Sequence, residues 1–174
     1  MENVLPTSLT HLIFGNYFNQ NITKNVLPNN LTHLTFGDNF NKVIKKDVLP
    51  TSLTHLVFSA NYCQTIEEFP PNLTYFIDGY RNLHEIPTTL KVFGFPYFSS
   101  IKDNLPNNIE RIIIFFNYNN NDNDKNKITN IPSTVKEISI YEPFGCKDDA
   151  EKFIEKIPFD CIITYFDTFE TYFI

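Results

Sequence analysis

The sequence predicts a mainly β solenoid: about seven or eight stacked coils, each adding one strand to a parallel sheet, with few helices and a C-terminal cap of one helix and one strand. Three observations carry this. "LPTSLTHLIFG" at residues 5–15 returns as "LPNNLTHLTFG" at 27–37 and as "LPTSLTHLVFS" at 49–59. A proline-anchored column pattern then continues at Pro70, Pro87, Pro106 and Pro132, with spacings of 22, 22, 20, 17, 19 and 26 residues. Finally, a period near 20 leaves room for one strand, a turn and a short return, but not for a strand plus a long helix.

Each coil is justified by the same columns. An apolar residue precedes the proline, another follows three places later, and a third stands six places later: Leu12, Leu34, Leu56, Phe76, Phe93, Ile112 and Ile138. Eight places on stand Phe14, Phe36, Phe58, Asp78, Phe95, Ile114 and Ile140, a column that only Asp78 breaks. Positions +6 and +8 are two apart and so share one face of a strand. Proline suits the start of such a unit because it donates no hydrogen bond and fixes φ. In the first three copies the return carries a second apolar pair, Phe18 with Ile22, Phe40 with Ile44, and Tyr62 with Ile66, expected to close each coil over its strand. One coil buries too little alone, so the core must form between coils.

The polar stretch "NYNNNDNDKNK" at 117–127 explains the widest spacing and is expected to loop out. After Ile140 the pattern changes. "KDDAEKFIEKI" reads as a short helix with Asp148 as N-cap and Phe153, Ile154 and Ile157 on one face. "CIITYFDTF" reads as a last β-run, and Pro158, Cys161 and Phe166 fit a degenerate eighth coil. The expected organisation is one domain over 1–174, with a repeat solenoid at 4–141 and a cap at 142–174. The N-terminal coil has no cap, so the layer of Leu9, Leu12 and Phe14 is expected to be partly bare and open to self-association, for example as a homodimer.

The columns resemble a leucine-rich repeat, L-x-x-L-x-L, with Asn39 and Asn61 where such repeats keep an asparagine. More closely, "LPTSLTHLIFGNYFNQNI" and "LPNNLTHLTFGDNFNKVI" are similar to the FNIP repeat, with its proline, L-x-x-L-x-F-G and following Phe-Asn. Copy three drifts at "SANYCQ", and later copies keep only the strand half. The resemblance implies an amoebal or giant-virus setting and a substrate-binding arm of a ubiquitin ligase. With the first repeat starting at residue 4, the arm is expected to lack its own F-box.

Composition narrows the function. Hydrophobic residues make up 42% and aromatics 16%, which excludes a disordered chain. A net charge of −6 argues against a phosphate-backbone partner, which needs a basic footprint. Cys63, Cys146 and Cys161 show no metal-ligand spacing, and their odd number suits a reducing compartment. The start "MENV" is no secretory leader, and no apolar run is long enough to span a membrane. The sequons at Asn21, Asn30 and Asn72 are therefore expected to stay unglycosylated in an intracellular, cytoplasmic protein, in the host cytoplasm if the protein is viral.

Chemistry is sought at the strand positions between the core residues, expected on the concave sheet face. Position +5 holds His11, His33, His55, Tyr75 and Arg111, and position +7 holds Ile13, Thr35, Val57, Ile77 and Ile113. These ten form the expected protein-binding face, an apolar middle flanked by polar and aromatic side chains. Imidazoles on parallel strands roughly 4.8 Å apart could converge on Zn²⁺. No carboxylate or thiol stands nearby in those columns to complete a tetrahedron, so no metal or cofactor is expected. Mutual repulsion of the three histidines near pH 6 is expected instead. The sequence holds no glycine-rich phosphate loop and no nucleophile elbow, and the acidic "DDAE" reads as a helix start. The expected function is non-enzymatic protein binding, with self-assembly through the first coil as the alternative.

Overall fold

The computed structural model describes residues 5–59, 61–79, 86–96, 105–115, 128–141 and 154–166. It contains eight strands: β1 (His11–Ile13), β2 (His33–Thr35), β3 (His55–Val57), β4 (Tyr75–Ile77), β5 (Val92–Pro96), β6 (Arg111–Phe115), β7 (Glu137–Tyr141) and β8 (Ile162–Phe166). Each begins with the same device. The proline carbonyl accepts the N–H three residues on, from Leu9 to Pro6 at 3.1 Å through Cys161 to Pro158 at 3.2 Å. The proline thus closes a turn made of small polar residues, and the strand follows it. The fold is a leucine-rich-repeat-like solenoid, divided into two compact units, Met1–Arg81 and Asn82–Ile174.

In the first unit β1 to β4 pair in parallel with no slip: His11 opposite His33, His33 opposite His55, and His55 opposite Tyr75. Register follows from the 22-residue repeat, because a one-residue slip would turn every leucine out of the core. The core is an aromatic spine of two columns. Within a coil Phe14 stacks on Phe18, Phe36 on Phe40 and Phe58 on Tyr62, all at 3.9 Å. Between coils Phe36 lies 5.3 Å from Phe14 and 4.9 Å from Phe58. Such pairs contribute about 0.5–1.5 kcal/mol each beyond their area burial. The spine stops at the fourth coil, where Asp78 occupies the phenylalanine place and Phe76 meets Phe58 edge-on.

Hydrogen bonds between coils sit on the returns as well. The Asn19 carboxamide oxygen accepts the Asn41 N–H at 3.0 Å, and that of Asn41 accepts the Cys63 N–H at 3.1 Å. The ladder therefore uses the asparagine directly after the core aromatic. Asn39 and Asn61, which stand where leucine-rich repeats keep an asparagine, are exposed, and Asn61 donates a side-chain N–H to the Asp38 carbonyl of the coil before. Asn30 and Asn72 each donate a side-chain N–H to the carbonyl of Thr7 or Thr51 in the coil before. Two of the three sequons thus hold coils together. Asn25 and Asp47, three residues before a proline, take left-handed φ values of 68° and 63°, which short polar side chains tolerate better than others.

In the second unit β5 to β8 pair in parallel, Val92 opposite Arg111, Arg111 opposite Glu137, and Glu137 opposite Ile162. The expected last β-run and eighth coil are present. Their register differs by one residue from a count along the columns, because Pro158 stands four residues before Ile162 whereas Pro132 stands five before Glu137. Tyr165, and not Phe166, lies opposite Ile140. The helix expected from Asp148 falls mainly outside the described residues, as do the loop 117–127 and Cys146. Its described end is not helical: Ile154 forms a parallel bridge with Ile128. Pairing with a neighbouring coil won over the local helical pattern there, and no helix occurs among the described residues.

Candidate functional site: the sheet face away from the aromatic core

The +5 side chains of the first unit form an aromatic ladder. The rings of His11 and His33 stack at 4.0 Å, those of His33 and His55 at 4.0 Å, and those of His55 and Tyr75 at 5.0 Å. Each imidazole Nδ1 lies 2.9 Å from the hydroxyl of the threonine before it. The Thr32 hydroxyl already donates its one proton to the Thr10 carbonyl, and that of Thr54 to the Thr32 carbonyl, both at 3.1 Å. Nδ1 of His33 and His55 must then be the donor, which leaves each Nε2 as a bare acceptor. The repeated Thr-His pair thus orients all three rings and fixes the tautomer of His33 and His55.

Burial within the ladder, reinforced by His11, lowers the pKa of His33. His55 lies deeper, and desolvation followed by repulsion from His33 and His11 pushes it down to about 4. Repulsion is therefore the smaller cause, and His55 titrates well below the pH 6 expected from sequence. Near-parallel rings also aim their lone pairs side by side rather than at one point. No group of three or more His, Cys, Asp or Glu side chains able to hold a metal ion occurs among the described residues.

The +7 positions depart from expectation. Ile13 is 63% exposed and Thr35 is half-buried, but Val57, Ile77 and Ile113 are 4%, 1% and 0% exposed. These three belong to the packed interior, not to an open docking strip. On β3, β4 and β6 the +7 side chains are closed to solvent as the core-facing ones are, a pattern common in buried parallel strands, while the +5 side chains stay part-exposed. The run Ile112-Ile113-Ile114 was the signal, since a half-exposed strand alternates.

Arg111 lies in the second unit and is already engaged. Its Nη2 sits 3.2 Å from Glu137 Oε1, and its Nε donates to Ser139 Oγ at 3.0 Å. Ser139 in turn donates to Glu137 at 3.2 Å, and the Thr164 hydroxyl reaches both at 3.2 Å. The cluster is half-buried, with Ser139 fully so. Glu137 stands opposite Arg111 in the same column, which the spacing could have revealed; the partners Ser139 and Thr164 depend on register. Of the ten expected residues, His11, Ile13, His33, Thr35, His55 and Tyr75 share the accessible face of the first unit.

The match to a known family falls within the first unit. Residues 2–39, 18–61 and 40–80 match the FNIP Repeat family. Among solved structures the chain is similar to CroV588, described as a novel circular leucine-rich-repeat protein, with 34% identity and a TM-score of 0.63. That similarity covers 95% of this chain and 28% of CroV588, so the chain spans a little over a quarter of that protein's length. No curated protein matches.

Proposed function

This chain is an FNIP-repeat protein of leucine-rich-repeat-like fold, and from that premise we propose that it is a non-enzymatic interaction module that binds a protein through the His11, Ile13, His33, Thr35, His55 and Tyr75 face. The observation that carries the reading is the ordered row of part-exposed aromatic rings with fixed acceptor nitrogens, bordered by the exposed Ile13. Rigid aromatic surface with few charges is what protein-binding cores are made of. The hydroxyl-to-imidazole bonds preorganise it, which lowers the ordering cost of binding. The same surface suits a recognition arm that presents a protein to a ligase assembled from other chains.

A photo-crosslinking residue at Thr35, beside the ladder, tests this in the native cell. Protein adducts are expected there and not at Thr23, an exposed return position. Equal labelling at both positions, or none at Thr35, would overturn the reading.

A further inference from the structure

The first coil is built as though another coil preceded it. Leu9, Leu12, Phe14 and Phe18 are only part-buried, whereas their counterparts Leu31, Leu34, Phe36 and Phe40 are fully buried. Gly37 shows why the repeat carries glycine: a Cβ there would stand 2.6 Å from the Asn16 backbone of the coil before. Gly79 is squeezed the same way against Ser59 and Tyr62. At Gly15 a Cβ would meet nothing within 4 Å, and its φ is not left-handed. Neither conformation nor crowding within the chain requires that glycine, whereas a coil stacked on this face favours a small residue, as Gly37, Ser59 and Gly79 are at the same place in the later coils.

The contacts between coils also have a direction. Many side-chain hydroxyls and amides donate backwards to a main-chain carbonyl of the coil before. Asn30, Thr32, Ser52, Thr54, Asn61, Tyr62 and Asn72 do so in the first unit. Asn108 and Thr134 do so in the second. The leading face of a coil therefore brings these side-chain donors and the trailing face the carbonyls they need, while main-chain N–H and C=O groups alternate on both. Two leading faces would set these donors against each other, but a leading face on a trailing face matches. Among the described residues the β8 coil leaves Phe159 93% and Ile162 63% exposed, with Tyr165 also open.

We propose that the chain assembles head to tail, the leading face of coil one in one copy stacking on the β8 coil of a second copy. The contact would extend the coil-to-coil interface by one more parallel pairing and is independent of the sheet-face reading above. Being heterologous, it does not stop at two: it closes a ring or continues as a filament. Apolar side chains on the leading face would be covered as their counterparts in coil two already are.

Sedimentation velocity of the purified chain, from micromolar to several hundred micromolar, tests this beside Gly15→Val. The wild type is expected to grow past the dimer with concentration. Gly15→Val, whose Cβ meets nothing within 4 Å in the single chain, should keep its far-UV spectrum and urea midpoint and weaken association at least tenfold. A wild type that stays monomeric, one that stops at a dimer, or a Gly15→Val chain that assembles as well as wild type would each overturn the proposal.

Discussion

A histidine in an unfolded chain takes up its proton near pH 6.5, whereas His55 in the fold holds off until about 4. Between those values the unfolded chain binds a proton that the folded one refuses. The stability present above pH 6.5 is therefore lost as the pH falls towards 4, and His33 acts in the same direction. Solvent around these part-exposed rings reduces the size of the effect. Urea midpoints of the wild type should drop between pH 7 and 4.5 by more than those of His55→Gln, which keeps the carboxylates and removes this titration. The glycines give a second contrast at this scale. Gly37→Ala forces a Cβ into the backbone of the coil before and should cost about 1–3 kcal/mol of stability. Gly15→Ala should stay within about 0.5 kcal/mol, and chemical denaturation of the pair separates them.

The coil is the element in which the core columns could be read and the rest could not. Leucine and phenylalanine at +3, +6 and +8 have no role but burial, so Leu31, Leu34 and Phe36 are where the spacing put them. Truncating the spine with Phe40→Ala should cost about 3–5 kcal/mol by urea denaturation, because rings above, below and beside it lose a partner. The other sheet face was less legible, since alternation says which residues avoid the core but not whether something else covers them. Val57 and Ile77 are buried, and Thr35, in the same column, is not. The return was not legible in its hydrogen bonds because asparagine is abundant there, with Asn16, Asn19 and Asn21 in one stretch and Asn39 and Asn41 in the next. Asn19 and Asn41 are the ones whose oxygen meets the next coil's N–H. Asn41→Ala, which leaves the Cys63 N–H without that acceptor, should cost about 1–3 kcal/mol, whereas Asn39→Ala should cost much less. The C-terminal register depended on a single deleted residue between Pro158 and β8, invisible until pairing showed it.

At the scale of the whole molecule, the principal strand contacts within each unit run between consecutive strands. Stability is then a sum over neighbouring coils, and a coil with one neighbour is held less than a coil with two. Amides in coil one should accordingly exchange with solvent before those of coils two and three, a gradient that hydrogen exchange with mass spectrometry resolves. Uniform protection across the first three coils would contradict nearest-neighbour stability.

The backward reach of Asn30, Thr32, Ser52, Thr54 and Asn72 bears on how such a chain is made. A ribosome delivers the coils one at a time, N-terminal end first. Each newly emerged coil finds the carbonyls that its hydroxyls and amides need already in place on the coil before it. None of those side chains has to wait for sequence still unsynthesised. In this protein the order of translation is also an order in which those side-chain bonds can form.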